Sequence, residues 1–294
     1  MNARLADKAA TMLFWCGALL IVGFLLWFIG YVLYRGAGSI SWDFLTRPPE
    51  NLRAGGGIGP QLFNSFYLLI LSMLLTVPLG VGGGIYMAEY ARPSLFTSFV
   101  RLSTETLASL PSIVVGMFGL LIFVNYMGWG FSVASGALAL TVFNLPVMVR
   151  ISEESLRNLG PELREASLAL GASRWQTITR VLIPSAFPGI VTGIILTAGR
   201  CFGEAAALLY TAGISSPPLD FGQWNPTYPA SPLNPFRPAA SLAVHIWKVN
   251  AEGLIPDLRR VADGSAAVLM VVVLVFNVVA RWVGNRIYRR LTGI

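Results

Sequence analysis

The sequence predicts an all-α integral membrane protein with six transmembrane helices, and three observations carry that expectation. Hydrophobic residues make up 55% of the 294 and charged residues only 12%. The mean hydropathy of +0.66 lies well above that of soluble globular domains. Apolar runs recur at about 20 residues, the length a helix needs to cross roughly 30 Å of hydrocarbon.

The runs fall at 12–34, 62–87, 106–126, 131–149, 185–211 and 265–283. They divide the chain into residues 1–61, the first span with its outside loop, and a five-span core, 62–294. The core carries a cytoplasmic loop at 150–184 and an outside loop at 214–263. No internal repeat is visible, which argues against a secondary transporter.

The first span has a basic start but is too long for a signal-peptide core, and no A-x-A site follows it, so it is expected to stay attached. The segment "SWDFLTRPPENLRAGGGIGPQ" then breaks regular structure with Pro48, Pro49 and a glycine run. In the second span, Gly80 and Gly84 give a G-x-x-x-G spacing suited to close helix packing. Neither glycine run completes a phosphate-binding loop, so any ATP hydrolysis belongs to another chain. Pro78, Pro111, Pro146 and Pro188 fall in or at the edges of spans, where they either kink a path or mark irregular packing.

The loop after the fourth span, "RISEESLRNLGPELREASLALGASRWQTITRVLIP", predicts two short helices. Gly160 breaks the chain and Pro161 opens the first helix. Glu162 and Glu165 follow in its first turn, where the dipole favours acids. Leu163, Ala166 and Leu170 line one face, and Gly171 supplies a left-handed terminus. Ser173 caps the second helix, with Gln176 completing a capping box.

The fifth span carries two charges, Arg200 and Glu204, near its middle. A central arginine costs about 2.5–3.5 kcal/mol on the insertion scale, so it should face protein or water. Read as one continuous helix, Gly193, Thr197, Arg200, Glu204, Ala207 and Thr211 share a small or polar face. Arg200 and Glu204 then stand as i,i+4 neighbours. The pair is open to two readings: a buried ion pair that fixes packing, or a transient site where an anion competes with Glu204 for the guanidinium fork.

Beyond this span the outside segment 214–263 is dense in proline, so regular helix is expected only from about Ala239. Its aromatics, Phe221, Trp224, Tyr228, Phe236 and Trp247, serve either as interfacial anchors or as a docking surface.

The net charge of +7 comes from cations placed beside the spans, not from a water-facing basic patch, which excludes a nucleic-acid binder. Arg4, Lys8, the cations of 92–180 and Arg281, Arg286, Arg289 and Arg290 gather on one side. Arg35, Arg47, Arg53, Arg237, Lys248, Arg259 and Arg260 are spread over the other. The positive-inside rule therefore puts both termini in the cytoplasm. Cys16 and Cys201 read as buried small hydrophobes, and His245 stands without neighbours at metal-ligand spacing. No nucleophile or acid/base constellation argues for an enzyme.

"EASLALGASRWQTITRVLIP" resembles the EAA motif of ABC importer permeases, with Ser167 in place of the second alanine. "GRCFGEAAALLYTAG" is similar to the Arg-x-x-Gly-Glu stretch of the phosphate-specific transport (Pst) permeases, their A-type subunit in particular. "IGPQLFNSFYLLILSMLLTVPLGVGGGIYMAEYA", "LASLPSIVVGMFGLLIF" and "NLPVMVRISEESL" resemble the same family, which commonly has Thr and Pro where this chain has Ala205 and Ala207. The likeness covers 57–213 and continues more loosely to the last span.

It implies the type I ABC importer permease fold, paired with a second, related permease. It also implies two ATPase subunits that carry ATP and Mg, and an outside phosphate-binding protein, in the bacterial inner membrane. Glu165, Ala166, Ser167 and Gly171 would couple to the ATPase. Arg200, Glu204 and Thr197 would line the substrate path, with no cofactor or metal in this chain. The expected function is ATP-driven phosphate import. Import of another oxyanion such as sulfate or molybdate, a stand-alone channel or carrier, and a membrane anchor for an enzyme complex are the alternatives.

Overall fold

A computed structural model describes residues 3–50, 54–252 and 256–292, and the described residues form helices and loops with no strand. Arg53, counted above among the opposite-side cations, lies outside them. α1 (Ala3–Ala37) is followed by the short α2 (Trp42–Thr46), capped by the Ser41 hydroxyl. α3 (Gly59–Ile85) runs into a π-turn, Tyr86–Tyr90. α4 (Leu95–Ser109) and α5 (Ser112–Gly119) come next, and a second π-turn, Leu120–Tyr126, extends α5. α6 (Val133–Arg157) leads to α7 (Pro161–Ala169) and α8 (Arg174–Thr177). After a third π-turn, Ile178–Leu182, come α9 (Ile183–Gly203) and α10 (Ala206–Leu209). α11 (Leu242–Glu252) and α12 (Leu258–Thr292) complete the chain.

Five of these helical stretches are long and apolar enough to cross a membrane, and the α4–α5 pair makes a sixth if counted as one span. That pair corrects the expected third span at 106–126. Pro111 lacks an N–H and disfavours helix at Leu110. The chain bends there by 102°, so residues 106–109 belong to α4.

The centre of the bundle is α3 against α6, with α9 packed on both. The G-x-x-x-G spacing does what it predicted. A Cβ on Gly80 would lie 2.4 Å from Met148 Cγ, and one on Gly84 would lie 2.4 Å from Ser152 Cβ, so the two glycines let the α6 ridge seat directly against α3. Phe202 on α9 is 1% exposed and joins three helices, its ring meeting Phe66 of α3 and Phe276 of α12 edge-on at 5.3 Å each. In lipid such packing contacts, not water exclusion, hold helices together. α12 flanks α9, and α1 touches α12 through Gly36 and an Arg35–Asp263 ion pair of 2.9 Å. Otherwise α1 presents its apolar surface outward. Cys16 is accordingly exposed, contrary to the buried site expected for it, whereas Cys201 is buried in the core.

Candidate functional site

Two places in the bundle bring together the residues singled out by sequence, and the first is the end of α9. The expected continuous span at 185–211 stops at Gly203. Glu204 is extended (φ −74°, ψ 121°), and α10 starts afresh at Ala206. The i,i+4 relation between Arg200 and Glu204 is therefore lost, which corrects the expected ion pair. The Glu204 carboxylate instead accepts the Ala207 N–H at 3.1 Å and caps the new helix.

Arg200 is left with an aromatic support. Its guanidinium carbon sits 4.3 Å from the centroid of the Phe143 ring on α6. Among the described residues no hydrogen bond or ion pair is formed by Arg200, and the side chain is partly exposed. A guanidinium over an aromatic ring, with its hydrogen-bond donors unused, can receive an oxyanion in its own plane.

The rest of the expected polar face packs inside. Thr197 is fully buried, its hydroxyl donating to the Gly193 carbonyl at 2.7 Å and lying 4.0 Å from Met148 Sδ. Thr211 is likewise buried, donating to the Ala207 carbonyl. Thr197 thus backs the α9–α6 contact. Ala207 sits where α10 meets α5, so close that a Cβ on Gly116 would fall 2.8 Å from its Cα.

The second place is the 158–182 loop at one end of the bundle, and here local chemistry predicted the structure. Gly160 is the N-cap and Pro161 the first residue of α7, and Gly171 turns the chain at φ +83°. Ser173 and Gln176 form both bonds of the capping box. Ser167 is buried and its hydroxyl meets that of Thr177 at 2.9 Å, tying α7 to α8. Glu165 and Ala166 are exposed, as are Leu163, Leu170 and Trp175, so the loop offers an apolar surface at its tip.

Sequence reasoning missed what fastens this loop. Arg164 donates to Glu89, at the end of the first π-turn, to the carbonyl of Leu156 in the last turn of α6, and to those of Leu159 and Gly160 in the link to α7. It also missed Phe143, because a ring contact across 57 positions leaves no trace in spacing.

At the opposite end, Arg237 is 3% exposed. It donates to the carbonyls of Ser231, Pro232 and Pro238 and to Asn64 Oδ1, pinning the proline-rich loop to α3. Burial pushes its guanidinium down to about 10, partly offset by Tyr67. Phe221 and Trp224 pack edge-on against Phe63.

The family described as "Binding-protein-dependent transport system inner membrane component" matches residues 80–293. A relative from Bacillus subtilis (strain 168), "Probable ABC transporter permease protein YqgI", is 56% identical over the full length of both chains. "Phosphate transport system permease protein PstA" of Xylella fastidiosa (strain 9a5c) is 35% identical over 85% of this chain and 82% of its own. Among solved structures, a bacterial alginate ABC transporter in complex with an alginate pentasaccharide-bound periplasmic protein aligns over 98% of this chain and 99% of its own, with a TM-score of 0.67 at 16% identity. That last likeness shows the fold.

Proposed function

We propose, from the premise that this chain belongs to the binding-protein-dependent transport system inner membrane components, that it admits inorganic phosphate to the cytoplasm. The family is one of ABC transporter permeases, membrane transport subunits and not enzymes. The observation that carries the phosphate reading is the Arg200 guanidinium, partly exposed, 4.3 Å from the Phe143 ring centroid and unpaired with any carboxylate among the described residues. A phosphate with two oxygens in the guanidinium plane would satisfy its donors while Phe143 keeps the fork fixed. The PstA relative, a phosphate transport permease by name, supports this choice of anion.

Glu204 contributes indirectly. By capping α10 it holds the break in the chain open, so the cation is not neutralised by its own helix. Both termini and the 158–182 loop face the cytoplasm of a bacterial inner membrane in this reading. The exposed apolar tip, Leu163 and Leu170 with Glu165 and Ala166 beside them, seats in an ATPase subunit. Two such subunits hydrolyse ATP with Mg. A second, related permease completes the route, and a phosphate-binding protein delivers cargo to the opposite face.

The test is ATP-dependent uptake of labelled phosphate by vesicles carrying the assembled complex, with unlabelled sulfate and molybdate as competitors. Accumulation that only phosphate competes away is expected. Sulfate or molybdate competing as well as phosphate would reassign the cargo, and uptake without any ATPase subunit would remove the importer mechanism.

A further inference from the structure

Arg200 is not the only arginine on this flank of the bundle. Seven residues on from Phe143, about 10 Å along the axis at 1.5 Å per residue, Arg150 falls on the same face of α6, and Glu154 and Arg157 continue it. α4 packs alongside and leaves a cavity of about 200 Å³. Its charged lining is Arg101 and Glu105 from α4 with Arg150, Glu153, Glu154 and Arg157 from α6. The cavity sits at the end of α6 that leads into the 158–182 loop.

Its three cations face three carboxylates but are unevenly paired, with Glu105 in no ion pair among the described residues. One oxygen of Glu153 takes both Arg101 at 2.6 Å and Arg157 at 3.1 Å. Arg101 Nε is buried with no acceptor at all. The third bridge, Arg150 to Glu154 at 2.9 Å, is an i,i+4 contact with both side chains more than half exposed, at 58% and 57%. An exposed bridge of that kind is weak and exchanges readily. A cluster with one guanidinium N–H left without an acceptor, an exchangeable carboxylate and space beside them is built to hold an oxyanion briefly. The surrounding carboxylates keep it from being held tightly, which is what passage demands.

We propose that this cavity is a second anion station, which takes the tetrahedral oxyanion after Arg200 and releases it to the side of the coupling loop. Arg150 is the ligand, and Glu154 is the carboxylate that the anion displaces and that expels it on returning. The proposal rests on the reading of Arg200 as the first contact, and its test separates the two.

In the complete complex carrying Arg200→Gln, binding of labelled inorganic phosphate is measured by equilibrium dialysis, alone and with Arg150→Gln, Arg150→Lys or Glu154→Gln added. Arg150→Gln should weaken the remaining binding several-fold, Arg150→Lys should largely restore it, and Glu154→Gln should strengthen it several-fold. Arg150→Gln and Glu154→Gln break the same bridge, so a purely structural bridge predicts shifts in the same direction. Same-direction shifts, or no shift in complexes shown to be assembled by gel filtration, overturn the second station. The first reading stands or falls separately, on phosphate uptake by the complex with Arg200 intact.

Discussion

Arg164 of α7 and Glu89 at the end of the first π-turn, 75 positions apart, meet through two guanidinium nitrogens on one carboxylate oxygen, Nε at 2.9 Å and Nη2 at 2.5 Å. The pair is largely buried, at 23% and 12% exposure. Arg164 also closes the carbonyl of Leu156 in the last turn of α6 and those of Leu159 and Gly160 just beyond it, so one side chain locks the 158–182 loop to two helical stretches of the bundle.

Breaking this lock should separate ATP hydrolysis from transport. Removing one partner of a buried pair costs about 3 kcal/mol. Glu89→Gln is expected to destabilise the permease by that order. Arg164→Gln should cost more, because it strands the carbonyls of Leu156, Leu159 and Gly160 as well. Thermal denaturation of the purified complex gives the ordering, and transport per ATP hydrolysed gives the uncoupling. An Arg164→Gln permease that is as stable and as tightly coupled as wild type would refute the assignment.

The opposite end depends on Arg237. Its partners are three carbonyls and Asn64 Oδ1, so a buried cation organises a loop whose prolines leave few backbone bonds of its own. Arg237→Met is expected to cost about 3 kcal/mol, since hydrogen bonds to a charged group are the stronger kind. The 214–240 segment should become protease-sensitive while α9 keeps its protection. Unchanged cleavage would show that the loop holds without this anchor.

His245 on α11 makes stability pH-dependent with a definite sign. It is 6% exposed, and burial, reinforced by Lys248 a turn away, pushes it down to about 4. The unfolded chain then binds a proton near pH 6.5 that the folded chain refuses. The stabilisation is complete above pH 6.5 and declines as pH falls toward 4, by about 3 kcal/mol over that window. Melting curves of the complex from pH 7 to pH 4 should show this slope, and His245→Gln should flatten it. An equal slope in the variant would place the titrating group elsewhere.

What the sequence made legible was local. Gly160, Pro161, Gly171 and the Ser173–Gln176 box act within four residues of themselves, so their spacing was enough. Gly80 and Gly84 pointed to a close contact because nothing but a neighbouring helix needs that gap. The break at Glu204 was hidden by good helix formers, Ala205 to Leu209, whose path is set by packing of α10 against Gly116 of α5. Pro111 announced a disturbance but not the 102° turn, which depends on how α4 lies against α6. Phe143 under Arg200, Glu89 under Arg164 and Asn64 under Arg237 are contacts between distant segments, and no periodicity encodes them.

Arg200 is the cation on α9 that has lost its helical counter-charge. Uptake of labelled phosphate by vesicles bearing the assembled complex, compared among wild type, Arg200→Lys and Arg200→Gln, tests its role most directly. Wild type should show vigorous ATP-dependent uptake, Arg200→Lys, which keeps the charge but loses the planar fork, a partial rate, and Arg200→Gln uptake at background. An Arg200→Gln complex importing phosphate at the wild-type rate would contradict that role.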